Sequence, residues 1–112
     1  MRRGEIYFAE LSPTVGSEIN KRRPVLIVSN NANNRAANTI TVLPLTSNTS
    51  PVRPFEVLVL AKQTSLPKDS KVLAQQIRTI SKARVAPKKI GELDQALMQQ
   101  VDAAIKLHLA LN

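Results

Sequence analysis

The chain has 112 residues, 43% of them hydrophobic, which is enough for one domain with its own core over residues 1–112. It has no cysteine, so disulfide scaffolds, thiol nucleophiles and zinc–thiolate sites are excluded. The formal net charge is +8, and residues 21 to 84 carry a net +9 from eleven cations and two acids, Glu56 and Asp69, whereas residues 92 to 112 are acidic by two charges.

Such a basic body points to a polyanionic partner, with nucleic acid ahead of an acidic protein. The opening "MRRGEIYFAELSP" has no apolar stretch of signal-peptide length, and no apolar run approaches the roughly 20 residues of a spanning helix. A soluble cytoplasmic protein with no membrane partner is therefore expected.

"RGEIYFAEL" (3–11) is partly alternating and reads as a strand. "SPTVGSEINKRR" (12–23) follows as a loop broken by Pro13 and Gly16, and it ends in three consecutive cations. It is either a solvated connection or a site for a phosphate backbone. "PVLIVS" (24–29) is apolar on both faces and β-branched, as in a buried central strand, with Pro24 tolerated at its start. "NNANNRAAN" (30–38) is an Asn-rich turn with room for one helical turn. "TITVLPLTS" (39–47) is a strand in which Pro44 implies an edge position or a bulge. "FEVLVL" (55–60) reads as a strand, "SLPKDS" (65–70) as a turn, and "KVLAQQIRTI" (71–80) as one long or bent strand.

The C-terminal segment carries the one strong helical signal. Asp94 is a good N-cap, Leu93 can staple onto Met98, and Leu97, Met98, Val101, Ala104, Ile105 and Leu109 follow helical spacing to about residue 109. Strands followed by one amphipathic helix, with no βαβ alternation, indicate a mostly antiparallel α+β domain. A small curled sheet or barrel would best hide its edges.

Taken together, "RGEIYFAELSPTVGSE", "RPVLIVSN", "LTS" and "QIRTI", with Arg84 six residues after Arg78, resemble the MazF/PemK family, the toxins of bacterial type II toxin–antitoxin modules. The resemblance spans nearly the whole chain. It implies a small SH3-like antiparallel β-barrel of the MazF/PemK/CcdB kind with a C-terminal helix, forming a homodimer. It also implies an mRNA interferase that arrests growth. Such an enzyme is a metal-independent, sequence-specific endoribonuclease that cuts single-stranded RNA to 2′,3′-cyclic phosphate and 5′-hydroxyl ends. No cofactor is implied, and the expected partners are single-stranded RNA and a cognate acidic antitoxin. By position, the catalytic arginine and threonine fall on Arg23 and Thr46, the glutamate of "GSE" on Glu18, and the groove-lining pair of "QIRTI" on Gln76 and Arg78. This chain departs from "GSEQGG", common in relatives, with Asn20 and Lys21 in place of the glycines. It also has Gln75 where relatives often carry glutamate.

The residues suit that chemistry. Attack by a 2′-OH on the adjacent phosphorus needs a base, stabilisation of a dianionic phosphorane, and an acid for the leaving oxygen. Arg23 can hold two phosphate oxygens in its planar fork but is a poor base, so Glu18 is the candidate base. Thr46 can donate its hydroxyl to a non-bridging oxygen, and Ser47 is similar. Lys21, Arg22 and Arg78 can engage phosphate, and Gln76 can read a base edge. His108, the single histidine, reads as a residue at the packing edge or C-terminal cap of the helix, not a catalyst. The acids are scattered with no metal-ligand spacing. With only Tyr7, Phe8 and Phe55 as aromatics, and Phe8 and Phe55 assigned to the core, no broad stacking platform is available. A gyrase-poisoning toxin of the same fold is one alternative, disfavoured by the non-aromatic end "HLALN". A non-catalytic RNA-binding relative is another.

Overall fold

The computed structural model describes residues 1–112. Its strands are β1 (Glu5–Glu10), β2 (Arg22–Ile27), β3 (Thr39–Thr46), β4 (Glu56–Val59), β5 (Ser70–Leu73), β6 (Arg78–Ser81) and β7 (Val85–Glu92). The helices are α1 (Asn31–Ala36), α2 (Ala61–Thr64) and α3 (Gln95–His108), with single 3₁₀ turns at Ala74–Gln76 and Lys82–Arg84. Every pairing is antiparallel, in the order β4-β5-β3-β2-β1-β7, and β6 also pairs with β3. The expected α+β architecture with a C-terminal helix is present. The sheet is bent but not closed, because its end strands β4 and β7 do not pair.

β3 is the pivot. Its first half, Thr39 to Val42, pairs with β6, and its last residues, Leu45 and Thr46, pair with β5. Pro44 therefore needs neither an edge strand nor a bulge. It lies in the gap between the two partners on that side, where a missing N–H breaks no ladder, and it faces Val25 of β2 on the other. The segment predicted as one bent strand over 71–80 is split at the 3₁₀ turn, which sends β5 and β6 to opposite ends of β3. Pro24 is the third residue of β2, before the ladder to β3 begins at Val25.

β7 carries no readable signal. Pro87, Lys88 and Lys89 interrupt any alternation, and the strand holds to β1 only through two shifts of register. Gly91 closes this edge against α2. A Cβ there would lie 2.4 Å from the Thr64 carbonyl oxygen, so no larger residue fits without movement.

Two apolar clusters cover the two faces of the sheet. Ile6, Leu26, Leu43 and Leu45 meet Leu97, Met98, Val101 and Ala104 of α3 on one. Tyr7, Ala9, Leu11, Val25, Ile27 and Ile40 form the other. α3 starts as predicted: the Asp94 carboxylate accepts from the Leu97 N–H at 2.9 Å, and Leu93 and Met98 are both buried in the first cluster. Burying one such Leu or Met contributes about 1.5–3 kcal/mol, so α3 is held mainly by its packed face. The Asn-rich stretch forms α1, capped by Asn30 Oδ1 accepting from the Asn33 N–H at 2.8 Å.

Candidate active site

Arg22 and Arg23 open β2, where the strand leaves the 12–21 loop. In β1 the partner of Arg23 is Ala9. Continuing the β2–β3 register two places beyond Val25↔Pro44 sets Arg23 opposite Thr46 at the end of β3. Arg78, opposite Val42, shares the same face of β3 by alternation. Arg23 Nε donates to the Asn20 carbonyl at 3.0 Å, and no acid pairs with Arg23. Thr46 Oγ1 accepts from the Asn48 N–H at 3.2 Å, which leaves the hydroxyl proton free to be donated.

Two clefts flank this point. The first, about 510 Å³, is bounded by the ends of β1, β2 and β3, the α2–β5 turn and β7; Arg22, Arg23 and Ser47 line it. The Arg22 guanidinium lies 4.8 Å from the centre of the Phe8 ring, a cation–π geometry. Phe8 is therefore a half-buried wall of the cleft, not the core residue its apolarity suggests.

The second cleft, about 350 Å³, is lined by Glu18, Gln75, Gln76, Ile77 and Arg78. Gln76 fixes the loop over it: the Ile19 N–H donates to Gln76 Oε1 at 3.2 Å and Gln76 Nε2 donates to the Ser17 carbonyl at 3.3 Å. Ile19 itself packs on the second apolar cluster. Glu18 closes a tight turn. Its N–H donates to the Val15 carbonyl at 3.2 Å, and its Oε1 accepts from the Val15 N–H at 2.8 Å. Arg78 Nη1 donates to the Leu11 carbonyl at 3.2 Å, tying β6 to the foot of the same loop. No three His, Asp or Glu side chains converge anywhere.

Behind the second cleft lies a buried polar knot. Lys71 Nζ donates to Glu56 Oε1 at 2.9 Å and to the Pro51 carbonyl at 2.6 Å, and Gln75 Nε2 donates to Glu56 Oε2 at 2.6 Å. Burial pushes the Glu56 carboxyl up, but the Arg53 N–H, Lys71 and Gln75 together outweigh it and hold it below its ordinary value. Gln75 is thus the neutral partner that Glu56 requires. A glutamate in the same place would bring a second carboxylate against it.

Residues 2–109 match the family described as the PemK-like, MazF-like toxin of type II toxin–antitoxin systems. The chain belongs to that family. It is 46% identical to the protein named endoribonuclease MazF9 of Mycobacterium tuberculosis, covering 99% of this chain and 98% of the relative. It is 42% identical to endoribonuclease EndoA of Bacillus subtilis, covering 99% and 96%. A mycobacterial endoribonuclease solved in complex with its cognate antitoxin superposes with a TM-score of 0.81 at 29% identity, covering all of this chain and 97% of that one.

Within this toxin fold the predicted residues divide. Arg22, Arg23 and Ser47 share the first cleft, Glu18, Gln76 and Arg78 share the second, and Thr46, at the end of β3, lines neither. Lys21 is exposed at the loop end with φ +68°, its N–H donating to Ser12 Oγ at 2.9 Å. That left-handed backbone is natural for the glycine of relatives and strained for lysine. Lys68, Lys88 and Lys89 also line the first cleft. Only the fold brings them there, from the α2–β5 turn and from β7.

Proposed function

We propose that residues 1–112 act as a single toxin domain, an endoribonuclease that cuts single-stranded RNA across Arg23 and Thr46 without a metal. The observation that carries this reading is Arg23, a guanidinium with no acid partner at the start of β2, with the free hydroxyl donor of Thr46 two places beyond the last β2–β3 pair on the neighbouring strand. Arg23 neutralises the two non-bridging phosphate oxygens and Thr46 donates to one of them. The nucleophile is the RNA's own 2′-OH, so no metal-activated water is needed. Glu18 is the proton acceptor in this reading: it lines the second cleft, so the strand must span from Arg23 to its Oε2, which makes no hydrogen bond within the chain, Oε1 being held by Val15, and the leaving 5′-oxygen takes its proton from solvent. Gln76 and Arg78 hold and read the strand in the second cleft, and Lys21, Arg22 and Ser47 attract its phosphates.

Leu107, Leu109 and Leu111 are 56%, 45% and 58% exposed around the end of α3 and give an apolar surface for self-association as a homodimer. The net +9 segment supplies the charge to hold an acidic antitoxin in the RNA groove. No helix is long and apolar enough to cross a membrane, in keeping with the proposed cytoplasmic site of action. The test is to incubate the purified protein with mixed single-stranded RNA in EDTA and to map the new ends. The reading requires cleavage at a short recurring sequence with 2′,3′-cyclic phosphate and 5′-hydroxyl ends. Intact RNA, or cutting only with added divalent metal, would sink it.

A further inference from the structure

The first cleft extends well beyond Arg23, and its far side has no assigned role. Arg22, Arg23, Lys68, Lys88 and Lys89 line it, and no Asp or Glu does. Lys89 is partly neutralised, with Nζ 3.7 Å from Glu5 and 3.6 Å from Glu92. Lys68 and Lys88 are exposed and pair with no acid. Asp69, the carboxylate next to Lys68, is tied to the Ala61 N–H at 2.8 Å. Two free ammonium groups, from the α2–β5 turn and from β7, thus line one trough together with the apolar Leu45 and Leu66.

The trough also has a stacking surface. The Arg22 guanidinium carbon sits 4.8 Å over the centre of the Phe8 ring, and the Arg22 residue is exposed. A guanidinium plane backed by an aromatic ring is a surface on which an unpaired base can stack. Free cations for phosphate, apolar lining from Leu45 and Leu66, and a guanidinium backed by a ring together match the phosphate, sugar and base of a nucleotide, whereas an acidic peptide would use the cations and leave the Arg22 face without a base to stack.

Resting on the RNA-cutting reading of Arg23, we propose that this trough is a subsite for the RNA nucleotides on one side of the scissile phosphate, with Lys68 and Lys88 on their backbone phosphates and one base stacked on Arg22. The strand then runs from the second cleft, past Arg23 and Thr46, into the trough.

The test uses the full chain and RNA oligonucleotides carrying a mapped cleavage site, made uncleavable by a 2′-deoxy sugar at the scissile position. A short core is compared with the same core extended by a dinucleotide on either end. Extension at one end should tighten binding by the wild type, and an abasic residue in that extension should cost roughly 10-fold. Lys68→Ala/Lys88→Ala should bind the short core as the wild type does and lose the gain from extension. Its slope of log affinity against log salt should fall by about 1.4, two single-strand phosphate contacts. Equal response of variant and wild type to extension and salt would overturn the proposal. So would a variant that keeps full RNA binding but loses affinity for a short Glu- and Asp-rich peptide with a central leucine, because the trough would then be a protein-docking site. Failure of the wild type to cut any RNA is read separately. It would overturn the catalytic role of Arg23, and the same extension and salt comparison on a generic single-stranded RNA would then decide the trough.

Discussion

Removing Lys71 should nearly unfold this protein, although Lys71 touches neither cleft. Its side chain is 7% exposed and that of its partner Glu56 1% exposed, at 2.9 Å. Lys71→Met keeps the apolar stem but leaves a buried carboxylate with only Gln75 and the Arg53 N–H, and it strips a donor from the Pro51 carbonyl. Breaking one side of a buried pair costs about 3–5 kcal/mol, a large part of the ~5–15 kcal/mol of a typical domain. Arg53 adds little compensation, because its Nη1 is 3.9 Å from Glu56 Oε2 and the side chain is half exposed. Lys71→Met/Glu56→Leu should recover most of the loss, since the second change removes the stranded charge. Acid should act on the same knot. The Glu56 carboxyl is held below 4.5 in the fold, so its stabilisation is full above that value and is lost as pH falls through the lowered one. Urea unfolding of the three proteins at pH 7, repeated in steps below pH 5, measures all of this. A loss under 1 kcal/mol for Lys71→Met, or no recovery in the double variant, would refute the assignment. The effect should reach function too, because Lys71 pairs with Thr46 in the β3–β5 ladder.

Three further outcomes are expected. Gly91→Ala should destabilise by roughly 1–3 kcal/mol in urea unfolding, because the new Cβ meets the Thr64 carbonyl at 2.4 Å; a neutral change would mean that α2 moves freely. Lys21→Gly should stabilise by about 0.5–1 kcal/mol, the relief at φ +68° outweighing the added freedom of the unfolded chain, and loss of stability would show that the lysine side chain holds the loop. Burial and the hydrogen bond to Glu5 push the Tyr7 phenol up to about 12 from 10.0, so its contribution is intact below pH 10 and is lost as pH rises toward 12. Ultraviolet titration should find the phenolate forming near 12, and formation near 10 would contradict the buried contact.

Local pattern made β2, β3 and α3 readable: a β-branched apolar run, a second such run around Pro44, and a capped helical stripe. β7 was not, because its partner β1 lies at the other end of the chain and its pairing tolerates Pro87 and two lysines through register shifts. The site was half legible. Arg23, Thr46 and Glu18 are candidates through family motifs alone, and closeness in sequence misleads: Glu18 and Arg23, five residues apart, line different clefts because Glu18 folds back onto Val15. Lys68 and Lys88 had no local mark, since their common cleft exists only once α2 and β7 dock. The Glu56–Lys71 knot was equally hidden, because nothing in "FEVLVL" or "KVLAQQ" distinguishes a buried ion pair from two surface charges.

The most direct test of the central claim is the single-turnover rate of RNA cleavage in EDTA by the wild type and by Arg23→Ala, with equal unfolding curves confirming that both are folded. Loss of a charged donor to the transition-state oxygens should slow cleavage by about 10²–10³, or about 2.7–4 kcal/mol. An unchanged rate would remove Arg23 from the reaction and contradict the account.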